Sequence, residues 1–402
     1  MYDLIVVGAG PAGSSAARRA AQQGLNTLLI EKAKVPRHKL CGGGLTSKVL
    51  GLLDFKLPET LIEQTVNSTR IHVGQESYPF ETSRTLGIMT SRAPFDAFMT
   101  EKAREAGAEV IDENPVLRVE IDASHVEVST RNGRYRSKLV IGADGINSPT
   151  ARSTHLYSRW KPLQVTYAIE SEVIVGERAV LDFIGANRYF DLYFGVSPAG
   201  YGWVFPKNDH LTVGVGCRLS RLRDVRMLFD ALTQAIPLLR NFPIPSPTAQ
   251  LIPIGGAAKV PIIGNRVMLA GDAAGFAEPF FGEGIHFAIL SGQIAANTAA
   301  NACQNDKYGT ELLQQYELEC EKTFGKDFDV AYHLACFSYL EQYDMKRVVK
   351  HLFSEKRVQE CMIGLMDGTI RYRDARTKLA WPYFKYRLDK LGLPVYNDRV
   401  KK

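Results

Sequence analysis

Cys41 stands directly before Gly42, Gly43 and Gly44 and shortly after Arg37, His38 and Lys39. Neighbouring cations favour a thiolate, and consecutive glycines let a backbone lie against a flat ring system, so Cys41 is the candidate catalytic thiol. Three carboxylates also hold suggestive positions. Glu31 ends an apolar run, Asp144 precedes Gly145 after another, and Asp272 follows Gly271 after a third. Acids at the ends of buried strands accept hydrogen bonds from sugar or polyol hydroxyls. Cys217, Cys303, Cys320, Cys336 and Cys361 have no such setting and read as small hydrophobes.

The elements that must position these groups are legible. Residues 2–7 read as a strand running into Gly8-Ala-Gly10-Pro-Ala12-Gly13, after which Ser14 to Gly24 reads as a small-residue helix. Asn26 to Ile30 reads as a second strand ending on Glu31, about 20 residues beyond the turn, as a dinucleotide fingerprint requires. Gly8 permits the turn, Gly10 lets the backbone approach a pyrophosphate and Gly13 allows close helix packing. The helix N-terminus offers unpaired N–H groups to phosphates, and Glu31 can take ribose hydroxyls. Two more strands, Ser137–Gly145 and Arg266–Asp272, complete a three-part pattern in which Asp272 can bind the ribityl chain of a flavin. The Gly282/Gly284 turn opens a helix through Ile285 whose N–H groups would meet the negative pyrimidine edge of a reduced flavin.

Gly8–Glu31, Asp144-Gly145 and Gly271-Asp272 resemble the FAD-dependent oxidoreductases built like para-hydroxybenzoate hydroxylase. Within that group, Cys41–Gly44, Tyr201-Gly-Trp-Val-Phe-Pro-Lys207 and Gly271–Ile285 are similar to the geranylgeranyl reductase family, over about residues 1 to 300. One departure is Phe281, where the family has a smaller, often hydroxyl-bearing residue. The resemblance implies an α/β (α+β overall) fold: a Rossmann-type FAD-binding domain, an inserted antiparallel-sheet substrate domain and a helical C-terminal region. It implies cofactor contacts from Gly8, Gly10, Ala12, Gly13, Glu31, Lys32, Cys41, Gly42, Gly44, Arg92, Val116 (through its backbone), Asp144, Asp272, Gly282, Gly284 and Ile285. Tyr201, Trp203, Phe205 and Pro206 would face the substrate. The implied activity is saturation of carbon–carbon double bonds in a geranylgeranyl or related prenyl chain by hydride transfer from reduced FAD. The electron donor would be NADPH, which has no second complete glycine unit to bind it, or a ferredoxin-like protein. A monooxygenase of the same fold, or a flavoprotein passing electrons to quinone, are the alternatives.

Eleven aromatics fall between Tyr157 and Phe205, about twice the chain-wide share, which reads either as a greasy cavity or as sheet core. Residues 165–175, 178–184, 189–195, 201–206 and 210–217 read as successive strands. The expected division places 1–70, 92–156 and 256–300 in the FAD-binding domain, 71–91 and 157–255 in the substrate domain, and 301–402 in the helical region. The widely spaced cysteines offer no CxxC pair, so neither a disulfide framework, an iron–sulfur cluster nor a metal site is expected. His286 is the one histidine within a cofactor motif and is given no role.

The formal net charge is +6, yet residues 341–402 carry 15 Lys/Arg against 8 Asp/Glu, so the excess is local and nucleic-acid binding is disfavoured. Leu379–Lys390 alternates aromatic and basic residues, either a peripheral membrane-surface patch or a helical cap with its rings turned inward. No run reaches the length of a membrane span and Met1 leads straight into a strand, so a cytoplasmic location, with docking at the membrane surface, is expected.

Overall fold

Tyr2–Val7 is apolar on both faces because it lies mid-sheet, and Leu4, Ile5 and Val6 are fully buried. In the computed structural model, which describes residues 1–256, 259–340, 353 and 355–379, it pairs in parallel with Thr27–Ile30 on one side and Arg134–Gly142 on the other. Glu109–Ile111 and Val267–Leu269 extend this parallel core outward. The hairpin Val116–Ile121/Val126–Thr130 branches from Arg134–Gly142. Two helices cover one face. Pro11–Gln22 presents Ala12, Ala16 and Ala20, and Ile285–Asn305 presents Ala288, Ala295 and Ala299, so the two backbones approach closely in one apolar cluster.

A second, seven-stranded sheet runs in the order Thr248–Pro253, Val165–Ile174, His210–Arg218, Tyr201–Pro206, Tyr189–Phe194, Ser68–Val73, Glu76–Phe80. It departs from the sequence expectation twice. Tyr189–Phe194 pairs in parallel with Ser68–Val73, so the sheet is mixed rather than antiparallel. Residues 178–184 are not a strand: Glu177–Ile184 is a helix bracketed by Gly176 and Gly185. Its apolar residues Ala179, Val180, Phe183 and Ile184 recur at helical spacing, and burial of that stripe over the sheet decides the conformation.

A three-stranded sheet of Gly44–Thr46, Gly87–Met89 and Gln64–Val66 bridges the two layers. Thr310–Cys320, Lys326–Ala335 and Lys356–Asp367 form the helical region, and Tyr339, Phe353, Met362 and Leu365 pack against the second sheet's Phe80, Leu192 and Phe194. No helix among the described residues is long and apolar enough to cross a membrane. The basic aromatic segment around Trp381, Tyr383 and Phe384 lies outside the described residues.

Candidate functional site

The three strand ends and the aromatic strand converge on one cleft of about 720 Å³. At its floor Gly8 adopts φ +98°, and a side-chain carbon there would lie 2.5 Å from the Ala143 carbonyl oxygen. Only glycine fits, because the strand must turn while touching its neighbour. Gly13 does not reach the cleft; it packs beneath the turn against the Gly8 carbonyl. The helix begins with Gly10 and Pro11, neither of which offers a capping side chain, so its positive end is open to the cleft. Glu31 is buried; Oε2 accepts from Ala9 N at 2.8 Å, and Oε1 faces Arg37 Nε at 3.3 Å. Oε1 also accepts from Ala33 N at 3.2 Å, so it is Oε2 that retains a lone pair for a ribose hydroxyl. Lys32, Ala12 and Val116 also line this end, Val116 from the second strand after its helix rather than the first.

Midway along the cleft lie two half-buried acids. Asp144 Oδ2 accepts from Thr150 N at 2.9 Å, while its buried Oδ1 has no protein partner. Asp272 follows the strand Val267–Leu269 and stands 3.7 Å from the point a side chain on Gly284 would occupy. Burial raises the Asp272 pKa, and the cations Lys39 and Arg92 partly oppose this. Gly284 opens the helix Ile285–Asn305 without a side-chain cap, and Gly282, Gly284 and Ile285 all line the cleft. Arg92, itself 9% exposed, is gripped by Asp96 through Nε–Oδ1 at 2.8 Å and Nη2–Oδ2 at 3.0 Å. An uncapped helix at each end, an orphaned acceptor between them and a floor too tight for any side chain fit a flavin dinucleotide.

The opposite wall is the strand Tyr201–Pro206. Strand alternation turns Tyr201, Trp203 and Phe205 into the cleft and Pro206 to the far face, so Pro206 is not part of the site. Phe205 lies on the Cys41–Gly44 turn: a side chain on Gly42 would come within 2.5 Å of its ring. Gly43 has φ +71° and no room beside the Thr90 carbonyl, so this turn too requires glycine. Gly43 N–H donates to Cys41 Sγ at 3.4 Å. Of the three basic residues expected to act on the thiol, Arg37 instead pairs with Glu31 and Asp96. The cations within electrostatic reach of the sulfur are Arg92, Lys39 and Lys207.

Three site residues escaped sequence reasoning. Glu170 receives Cys41 N–H at 2.8 Å and Trp203 Nε1–H at 3.3 Å. Lys207 donates to the carbonyl oxygens of Gly42 at 2.6 Å and Thr90 at 2.9 Å. Glu278 accepts from Phe280 N at 2.5 Å and Phe281 N at 2.8 Å. A charged residue inside an apolar strand or turn was the available signal. Burial pushes Glu278 up to about 7, so the folded chain keeps a proton that the unfolded chain releases above the ordinary carboxylate value. Its stabilising contribution is therefore full below about pH 4.5 and is lost as pH rises through about 7. Glu278→Gln should flatten the fall in Tm between about pH 5 and about pH 8 by a few degrees, read by thermal melts. An unchanged slope would show that Glu278 is ionised throughout.

A family model described as an FAD binding domain matches residues 1–327. The digeranylgeranylglycerophospholipid reductase of Thermoplasma acidophilum is 31% identical over 346 residues, covering 81% of this chain and 84% of that protein. A digeranylgeranylglycerophospholipid reductase of Methanococcoides burtonii is 31% identical over 416 aligned residues, covering 96% of each. Among solved structures, a geranylgeranyl bacteriochlorophyll reductase-like protein of Thermoplasma acidophilum has a TM-score of 0.82 at 27% identity, covering 95% of this chain and 99% of that one. A halogenase solved in complex with FAD shares the fold, with a TM-score of 0.71 at 16% identity over 98% of this chain and 93% of its own. The chain belongs to the FAD binding domain family and, within it, to the geranylgeranyl reductases.

Proposed function

We propose that this chain saturates carbon–carbon double bonds in the prenyl chains of an isoprenoid lipid, using FAD. The observation that carries this reading is the meeting of the aromatic strand with the Cys41–Gly44 turn in the same cleft that receives the cofactor groups. Gly8, Gly10, Glu31, Arg92, Asp144 and Asp272 would hold the FAD, and Gly282, Gly284 and Ile285 would face its ring end. When bound and reduced, FAD supplies a hydride to one alkene carbon.

An isolated alkene is a poor hydride acceptor, so the protein must place the chain tightly and supply a proton to the second carbon. Tyr201, Trp203 and Phe205 form the wall that orients the chain and excludes water. Tyr201 is fixed by a hydrogen bond from its hydroxyl to the Phe281 carbonyl, and Phe205 by an edge-on contact with Phe190, ring centroids 5.5 Å apart. Tyr339 and Met366, from the helical region, close the cleft's apolar end. Cys41 is assigned the proton, held at Sγ. Phe281, which stands where a smaller residue was expected, lines the same end and narrows it. Electrons would reach the FAD from NADPH or a ferredoxin-like protein.

The test is oxygen-free turnover. Chemically reduced protein mixed with a digeranylgeranyl glycerophospholipid should yield lipid heavier in steps of two hydrogens by mass spectrometry. Lipid of unchanged mass, or a product that gains oxygen once air is admitted, would overturn the assignment, the latter in favour of a monooxygenase. Trp203→Ala should lower turnover about tenfold while FAD stays bound, since the ring contacts the chain rather than the cofactor's phosphate end.

A further inference from the structure

Lys207 and Glu170 are both buried, both ionisable, and both directed at one turn. Lys207 is 2% exposed, and among the described residues its ammonium is hydrogen-bonded to carbonyl oxygens and to no carboxylate. Burying an ammonium without a counter-ion is costly, so satisfying two carbonyls is a weak reason to place one there. Its location supplies a stronger one. The Gly42 carbonyl that it binds and the Gly43 N–H that donates to Cys41 Sγ belong to the same peptide group. A cation on the oxygen polarises that peptide and strengthens the N–H as a donor to sulfur. Glu170, on the strand Val165–Ile174, takes the N–H of Cys41 itself and is steadied by Trp203. It grips the same turn, and because burial pushes it up to about 7, it places a full negative charge beside the thiol only on the alkaline side of that value.

We propose that Lys207 and Glu170 are a pair of positioning residues of opposite sign that hold the Cys41–Gly44 turn and set how readily the Cys41 thiol gives up its proton. The other groups facing the sulfur are Arg92, from the helix Arg92–Glu105, and Lys39, from the loop before the turn. Glu63 and Glu172 also act on Lys207 electrostatically. The pair thus adds one adjustable charge of each sign to the cationic background of Arg92 and Lys39. The proposal rests on the assignment of Cys41 as the proton-holding group, yet it concerns the chemistry of the thiol and can be read without any prenyl substrate.

The experiment is alkylation of the purified flavoprotein by iodoacetamide from about pH 6 to about pH 9.5, with the Cys41 peptide quantified by mass spectrometry. Lys207→Met should slow Cys41 alkylation about tenfold at pH 7 and displace the profile towards alkaline pH. Glu170→Gln keeps an acceptor for the Cys41 N–H while removing the charge, and should speed alkylation about threefold above about pH 8, where Glu170 is ionised. General loosening of the site would move both variants the same way, so opposite signs are the signature. Parallel changes, unchanged rates, or no alkylation of Cys41 in any variant would overturn the proposal. Should Lys207→Met fail to retain flavin, Glu170→Gln decides alone: faster alkylation supports the pair, and an equal or slower rate contradicts it. Failure to reduce prenyl lipid, with these shifts intact, would instead count against the proposed function.

Discussion

Gly8→Val should give a folded but colourless protein. The turn at Gly8 carries φ +98° and leaves 2.5 Å between an added side-chain carbon and the Ala143 carbonyl, so valine must push apart the first strand's exit and the Ala143–Asp144 segment. The strain alone costs about 1–3 kcal/mol, which a domain with this much buried parallel sheet can absorb. The phosphate floor cannot absorb it, because its N–H groups act only from that backbone path. FAD affinity should weaken at least about 100-fold, measured by fluorescence titration of the apoprotein beside a thermal melt. A yellow variant of undiminished affinity would show that the cofactor is held elsewhere in the cleft.

Asp272→Ala should separate affinity from stability. The carboxylate lines the cleft, where loss of hydration raises its pKa and Lys39 and Arg92 offset this only in part. The backbone carbonyl of residue 272, which accepts from Gly275 N at 3.1 Å, survives the change. Removing a half-buried, underpartnered charge should leave the apoprotein as stable or raise it by about 1 kcal/mol, while the lost charge-assisted bond weakens FAD binding about 10- to 100-fold. Loss of stability and affinity together would mean that Asp272 is a structural acid of the Gly271–Ala274 turn.

What the sequence disclosed divides along the range of the interactions involved. The Gly8–Gly13 turn, Glu31, Asp144 and Asp272 depend on contacts within one βαβ unit or at a strand's own end, so spacing is enough to find them. The helix Glu177–Ile184 was misread because its short apolar segment follows a strand and carries β-favouring Val180 and Phe183, and only its packing over the sheet separates the two conformations. The parallel pairing of Tyr189–Phe194 with Ser68–Val73 joins segments with no local link, which no period reports. Pro206 shares a run with the three cleft-facing aromatics, although alternation from Tyr201 turns it to the opposite face. Glu170 and Lys207 were invisible for a different reason: a charge in a strand ordinarily marks the wet face, and here the wet face is covered by the Cys41–Gly44 turn. Arg92 was found, whereas the Asp96 that fixes it one helical turn later was not, though its i,i+4 spacing was in view.

The central claim is that one cleft brings FAD and a prenyl double bond together, so the decisive measurement is a single oxygen-free turnover followed on both partners at once. Reduced protein, mixed with a limiting amount of digeranylgeranyl lipid, should regain its yellow absorbance at a rate that depends on the lipid, with one double bond lost for each flavin reoxidised. Reduced flavin that stays colourless with lipid and turns yellow only when oxygen enters would contradict it.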